Sequence, residues 1–207
     1  MRFLLSLLPL LLLLLHCLPY SAAARKHNPH NNPINSSHLV RSSCSHASYP
    51  NLCIHSLSTY AGPANTPRDL AQAAVNVSLS RARRVSGYLA QLSNSDQGTK
   101  RERSALSDCI DLMSESVDEL TRTLDELKHL HAETFRFQMS NAQTWVSAAL
   151  TDDDTCLDGF EELDVKVKVK VKADMKRKVT NAARVTSNAL YLINRLDESR
   201  GRPRSKP

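Results

Sequence analysis

The sequence predicts an all-α protein: an antiparallel up-down four-helix bundle preceded by a short N-terminal helical hairpin, with two disulfides. Glycine is scarce, at five residues, and aromatic residues are only 5% of the 207, which suits helices packed through aliphatic side chains. Apolar residues recur in steps of three and four along the longer segments. The cysteines outside the N-terminal apolar run form two pairs, each at a spacing that suits a helical hairpin.

The N-terminus has the pattern of a secretory signal peptide. Arg2 precedes an apolar, leucine-rich run from Phe3 to Leu18, which is followed by Ser21-Ala22-Ala23-Ala24. This run is shorter than the roughly 20 residues of a membrane span, and the small residues after it are typical of a cleavage site. We therefore expect residues 1–24 to be removed. Cys17 leaves with them, so that an even number of cysteines remains in a secreted chain without a membrane anchor.

Residues 25–38 are rich in Asn, Pro and His and are expected to form a disordered tail. One domain is expected over residues 39–200, followed by a C-terminal tail at 201–207. Export makes two glycosylation sequons usable, at Asn35 and Asn76.

The formal net charge of +6 makes the chain mildly basic, which is compatible with contact to acidic polysaccharide. The charge is too small and too interspersed to indicate a nucleic-acid partner. The chain has no nucleophile motif and no glycine-rich phosphate loop, so we expect a protein that is not an enzyme and needs no cofactor. Histidines are the remaining candidate metal ligands. No cysteine or carboxylate set accompanies those of the tail, and only Glu133 lies near those of the turn, so solvated surface histidines are the favoured interpretation. They are His27, His30 and His38 in the tail, and His129 and His131 at a helix turn.

The first long helix has an unusually clear start. Thr66 can cap it, Pro67 occupies its first position, and Asp69 supplies the carboxylate of a capping box. The helix is expected to run to about Leu92. Three of its arginines are expected to face outward: Arg81, Arg83 and Arg84.

The second long helix, from about Arg101 to Leu130, has the most regular apolar period. Two later segments show the same steps, and four amphipathic helices with such seams pack as a left-handed bundle. The seam positions of the second helix are Leu106, Ile110, Met113, Val117, Leu120, Leu124 and Leu127. Those of the third are Phe135, Met139, Ala142, Val146 and Ala149, and those of the fourth are Met175, Ala182, Val185, Ala189, Leu192 and Leu196, with Lys178 filling one step.

Cys109 and Cys156 lie symmetrically about Ala132 and Glu133. Antiparallel helices turning there would bring the two cysteines level, within the Cα separation of about 4.4 to 6.8 Å that a disulfide requires. Cys44 and Cys53 enclose the turn signal Tyr49-Pro50, and a disulfide between them would close a small helical hairpin.

A strict valine-lysine repeat spans residues 165–172. Alternation favours an extended strand with one lysine face, but no partner strand is evident. A repeat expanded within a loop and a frayed helix start are the alternatives. Binding of a polyanion is a further interpretation of this segment, through its lysines: Lys166, Lys168, Lys170 and Lys172.

Acidic residues recur every seven positions beside the seam of the second helix, at Asp111, Asp118 and Asp125, with Glu115 on the adjoining ridge. A solvated helix face and a recognition surface are the two interpretations. A further group of acidic residues with one hydroxyl is expected to lie near them and to enlarge this surface, which favours recognition. It comprises Asp152, Asp153, Asp154, Thr155 and Asp158.

From about Val40 to Leu196, the chain resembles the plant invertase and pectin methylesterase inhibitors. The resemblance rests on four segments: the Cys44 to Cys53 hairpin with Tyr49-Pro50, Ser107-Asp108-Cys109, the stretch from Gln143 to Phe160, and Thr186-Ser187-Asn188-Ala189-Leu190. It implies a four-helix bundle after a hairpin, disulfides 44–53 and 109–156, and a non-catalytic inhibitor of the plant cell wall.

Inhibitors of this family block either invertase or pectin methylesterase. The invertase inhibitors carry a Pro-Lys-Phe tripeptide that is absent here, which favours pectin methylesterase as the partner and leaves invertase as the alternative. A wall protein that binds pectin without inhibiting an enzyme is a third interpretation. For inhibitors of pectin methylesterase, the resemblance implies that acidic and hydroxyl groups after the third cysteine and around the fourth face the target. Here these are Glu115, Asp118, Thr155 and Asp158.

Overall fold

The structure, a computed structural model, describes residues 33–60, 62, 64–94, 99–161 and 169–201. All of its regular elements in these ranges are α-helices, as the composition predicted. A short pair, α1 and α2, precedes four long helices, α3 to α6, and no described helix is long and apolar enough to span a membrane. The bounds are α1 Pro33–Cys44, α2 Pro50–Ser58, α3 Pro67–Ser93, α4 Lys100–Lys128, α5 Phe135–Glu161 and α6 Val169–Gly201.

The four long helices form a closed ring in which α3 packs on α4, α4 on α5, α5 on α6, and α6 on α3. Contacts join opposite ends of neighbouring helices, so each neighbouring pair is antiparallel. Arg68 near the start of α3 donates to the carbonyl of Leu127 near the end of α4, at 2.8 Å. Gln143 early in α5 donates to Asn194 late in α6, at 3.1 Å. The pairs α3·α4 and α5·α6 are therefore antiparallel, and the ring puts α4 and α5 on the side opposite to α3 and α6.

The core consists of the seams that the apolar periods predicted. The seam side chains named above for α5 and α6 are all buried except that of Lys178, and those of α4 are buried or half-buried. The predicted capping box is present: the Thr66 hydroxyl accepts from the backbone N–H of Asp69, whose carboxylate accepts from that of Thr66. A second capping box, formed by Thr99 and Glu102, starts α4 and was missed at the sequence level.

Both predicted disulfides are present. Cys44 and Cys53 close the α1–α2 hairpin with Cα atoms 5.7 Å apart, and Cys109 and Cys156 join α4 to α5 with Cα atoms 4.6 Å apart. Asn188 of α6 ties the hairpin to the bundle. Its buried amide accepts from the backbone N–H of Tyr49 at 2.9 Å and donates to the carbonyl of Tyr49 at 3.0 Å.

The start of one helix differs from the sequence interpretation, and the start of another decides between its alternatives. Helix α1 begins at Pro33, inside the stretch expected to be disordered. Proline has no N–H to satisfy and has a helical φ, which suits a first helical position. Helix α6 begins at Val169, within the valine-lysine repeat. From Val169 onward the frayed-start alternative therefore fits and the strand does not, whereas residues 165–168, like the predicted signal peptide, lie outside the described residues.

Candidate functional site

The four side chains expected to face a partner are all exposed, on the adjacent helices α4 and α5. Glu115 and Asp118 lie on α4, while Thr155 and Asp158 lie on α5. Thr155 directly precedes Cys156, whose disulfide to Cys109 fixes the two helices against each other. The bridge lies early in α4 and late in α5, so the antiparallel pair presents these residues from one stapled unit. We call these four residues the acidic surface.

The structure brings some of these residues into one neighbourhood. Thr155 lines a shallow cavity of about 210 Å³ together with Asp108 and the Cys109–Cys156 bridge. Asp158 is close enough to Asp154 for its charge to help raise the pKa of that carboxyl, after burial as the main cause. Within the described ranges, neither Asp118 nor Asp158 forms an ion pair with a cation, and both are exposed. Their carboxylates are therefore available to a partner.

Glu119 and Asp152 form an acid pair behind this surface. Burial is the main cause that raises the pKa of Glu119 to about 7, and the nearby charge of Asp152 adds to it. Burial likewise raises the pKa of Asp152 above its usual value. Glu119 Oε2 and Asp152 Oδ2 are buried and receive no hydrogen bond from another described group. A proton shared between the two carboxyls would satisfy both oxygens, which makes the pair sensitive to mild acidification.

Asp153 was expected on the outer acidic face, and this expectation was wrong. Its side chain is fully buried, where it accepts from Ser116 of α4 at 3.1 Å and lies 3.4 Å from the hydroxyl of Thr186 of α6. The reason is the helical period: from Ala149, a step of four reaches Asp153 and a step of three reaches Cys156. Three consecutive aspartates turn through about 200° of a helix, so they cannot all face solvent.

The pair Glu119 and Asp152 was not singled out from the sequence. Glu119 precedes the seam residue Leu120, and Asp152 precedes the inward position 153, so both border the buried seams. The signal that could have indicated this pair is an acidic residue next to the apolar seam on each of two antiparallel helices that a disulfide joins.

The other candidate positions take ordinary roles. The amide of Asn76 donates to the carbonyl of Gln72 within α3 at 2.9 Å, and the sequon hydroxyl of Ser78 is buried. Asn35 lies within α1, and glycosylation of either asparagine stays a prediction. His129 follows α4 with its ring 3.2 Å from the carboxylate of Asp125. Within the described ranges, no three potential metal ligands cluster.

The chain is a disulfide-stapled helical bundle with an acidic face, and comparison with known proteins gives its family. Residues 38–192 match the sequence profile described as Plant invertase/pectin methylesterase inhibitor. The chain belongs to this family, which is one of inhibitors, and the prediction that it is not an enzyme is confirmed on that ground.

Individual relatives agree. The chain is 52% identical to Pectinesterase inhibitor 3 of Arabidopsis thaliana, over 87% of this chain and 88% of that protein. It is 46% identical to Pectinesterase inhibitor 9 of the same plant, over 82% of this chain and 85% of that protein. A crystal structure of a mutant pectin methylesterase inhibitor from Arabidopsis superimposes with a TM-score of 0.59 at 22% identity, covering 73% of this chain and 92% of that one. That likeness shows the fold.

Proposed function

We propose that this protein is a secreted inhibitor of pectin methylesterase that acts in the cell wall. The observation that carries the proposal is the 52% identity with Pectinesterase inhibitor 3 along almost the whole of both chains. Two sequence features support the proposed location: the leader-like N-terminus and four cysteines that pair within the chain. Disulfides of this kind persist in oxidising compartments.

In the proposed complex, one inhibitor lays α4 and α5 across the substrate cleft of one enzyme and keeps pectin out. A cleft that binds a uronic-acid polymer has groups that receive carboxylates and hydroxyls. The acidic surface offers three carboxylates and the hydroxyl of Thr155, all exposed. Because the disulfide and the bundle core already fix both helices, the backbone that carries these side chains loses little conformational entropy on binding.

The test is a titration of pectin methylesterase activity and, separately, of invertase activity with the purified protein. We expect inhibition of pectin methylesterase that ends at one inhibitor per enzyme. The variant Asp118→Lys/Asp158→Lys should bind at least about tenfold more weakly, which corresponds to about 1.4 kcal/mol.

A matched control is Glu133→Lys/Glu198→Lys, which makes the same charge change at exposed acids outside the acidic surface. This control should inhibit as the parent does, and both variants should keep the parent's melting temperature. Inhibition of invertase alone would refute the proposed target. Equal weakening by the two variants would refute the proposed surface, and a protein that inhibits neither enzyme would refute the proposed function.

A further inference from the structure

On the side of the bundle opposite the acidic surface, α3 and α6 border a groove of about 540 Å³. Among the residues that the structure describes, its walls carry five cations and no carboxylate: Arg81 and Arg84 from α3, and Arg177, Lys178 and Arg184 from α6. Thr180 and Asn181 line it as well and are half-buried. A cleft lined by charges of one sign in a protein of low dielectric constant concentrates the electric field on an ion of the opposite sign.

Aromatic rings hold two of the groove cations. The ammonium of Lys178 lies 4.8 Å from the centre of the Tyr88 ring, and the guanidinium of Arg184 lies 5.2 Å from that of Tyr49. Such contacts position a cation without neutralising it, because the ring supplies a quadrupole and no net charge. Both charges therefore stay available to an anion, in side chains that are already partly ordered.

Carboxylate partners are scarce in the groove. Within the described ranges, Arg177 alone of the five cations forms an ion pair, with Asp174 at 3.1 Å. Arg81, expected to face outward, is instead half-buried, and its Nε is buried without a hydrogen-bond partner within those ranges. Burial, with Arg84 beside it, lowers the pKa of Arg81 below its usual value. Like charges gathered with so little compensation leave an electrostatic cost that a bound anion would offset.

The arrangement of the cations indicates a polymer rather than a single small anion. From Arg177 to Arg184, α6 rises about 10 Å, at about 1.5 Å per residue. Cations therefore lie at both ends of this stretch, and the hydroxyl of Thr180 and the amide of Asn181 lie between them. Alternating positive charge and neutral hydrogen-bonding groups match a sugar chain whose carboxylates are separated by hydroxyls.

We propose that the groove between α3 and α6 binds a run of carboxylates on an acidic polysaccharide, with de-esterified pectin as the ligand class. This inference goes beyond enzyme inhibition and does not depend on it. The groove lies across the bundle from the acidic surface, so one molecule has room to contact an enzyme on one side and the polysaccharide on the other.

The test compares binding of the full protein to polygalacturonate and to fully methyl-esterified pectin at low salt. The groove variant is Arg84→Gln/Arg177→Gln, which changes two exposed cations that line the groove. The control is Arg83→Gln/Arg195→Gln, which removes the same charge from exposed positions of the same two helices outside it. A dextran sulfate arm separates recognition of carboxylate polysaccharides from attraction to polyanions in general.

We expect polygalacturonate to bind and the esterified polymer not to bind. The groove variant should bind polygalacturonate about fivefold more weakly, as the loss of two partly screened ion contacts implies, and the control less than about twofold. The proposal would be overturned if both variants lost affinity equally, or if both pectins bound equally well. It would also be overturned if dextran sulfate bound as tightly as polygalacturonate and the groove variant did not weaken that binding. The groove variant should inhibit pectin methylesterase as the parent does. Asp118→Lys/Asp158→Lys should still bind polygalacturonate, so failure of either proposal can be recognised separately.

Discussion

The hydroxyl of Ser116 lies 3.1 Å from Oδ1 of Asp153 inside the bundle, where both side chains are fully buried. Thr186 donates to the carbonyl of Ala182 at 3.0 Å and also reaches the second carboxyl oxygen of Asp153 at 3.4 Å. One carboxyl therefore connects α4, α5 and α6. Burial raises the pKa of Asp153 to about 7, although the two hydroxyls lower it and so oppose this effect.

This buried carboxyl makes stability depend on pH. The folded state keeps the Asp153 proton up to about pH 7, whereas the unfolded chain loses it near pH 3.9, so the folded state binds more protons between the two values. The favourable contribution is complete below the unfolded pKa and is lost as pH rises through the folded one. We expect the melting temperature to fall as pH rises from about 4 to about 7.

Asp153→Asn tests this explanation because an amide cannot ionise but still accepts from a hydroxyl. Its melting temperature should vary less with pH than that of the parent, and above about pH 7 it should exceed the parent's. Asp111→Asn, at an exposed position of α4, is the control and should leave the pH profile unchanged. An Asp153→Asn profile as steep as the parent's would contradict the assignment.

Inhibition should also depend on pH, through Glu119. With a pKa of about 7, this carboxyl gains a proton on mild acidification, which removes a negative charge beside Glu115. Glu119 is half-buried and is not one of the four residues proposed to contact the cleft, so removing its charge costs no proposed contact and reduces repulsion from any negative charge on the enzyme. We expect the parent to bind pectin methylesterase more tightly at about pH 5 than at about pH 7.5.

Glu119→Gln imitates the protonated form and should gain affinity at the higher pH only. The measurement is the ratio of parent to variant inhibition constants at each pH, in which titration of the enzyme itself cancels. A ratio that does not change with pH would show that Glu119 has no part in the effect.

The link between Asn188 and Tyr49 predicts a local effect on the hairpin. Asn188→Ala removes both hydrogen bonds to the Tyr49 backbone and should cost about 1 to 3 kcal/mol. Amide hydrogen exchange should speed up in α1 and α2 before it does in α4 and α5. Asn188→Asp keeps the acceptor for the Tyr49 N–H but places a buried carboxylate against the Tyr49 carbonyl oxygen, so at neutral pH its loss should be at least as large as that of Asn188→Ala. A uniform change in exchange over all helices would contradict a local role.

The Cys109–Cys156 disulfide should dominate the covalent contribution to stability, because it closes the longer loop. In the chain-entropy account, Cys109→Ala should cost about 2 to 5 kcal/mol, and Cys44→Ala should cost less. Urea unfolding midpoints would rank the two. Peptide mapping without reduction should recover the pairs 44–53 and 109–156, and a Cys53–Cys109 peptide would be inconsistent with the structure.

The sequence was sufficient for the fold because the apolar period, the Thr66 cap and the cysteine spacing are local or nearly local signals. The polar contacts between helices were harder to predict. Thr186 and Asn188 were noticed only as part of a family segment, yet their side chains contact Asp153 and Tyr49. Such pairs depend on the rotation of each helix in the bundle, which a period fixes only approximately. Predicting the groove between α3 and α6 also requires the rotation of each helix, because its cations come from distant parts of the chain.

The valine-lysine repeat gives the last prediction. Alternation with a period of two produces one lysine face in a strand but none in a helix, where alternate positions lie about 200° apart around the axis. Helix α6 already begins at Val169, so we expect no continuous row of four charges and only weak, salt-sensitive adhesion to pectin.

Replacing Lys166, Lys168, Lys170 and Lys172 with Gln should lower retention on de-esterified pectin at low salt. The difference should vanish near physiological ionic strength, where screening acts over about 8 Å. Inhibition of pectin methylesterase should not change. A loss of inhibition of about tenfold or more would instead make the repeat part of the enzyme interface.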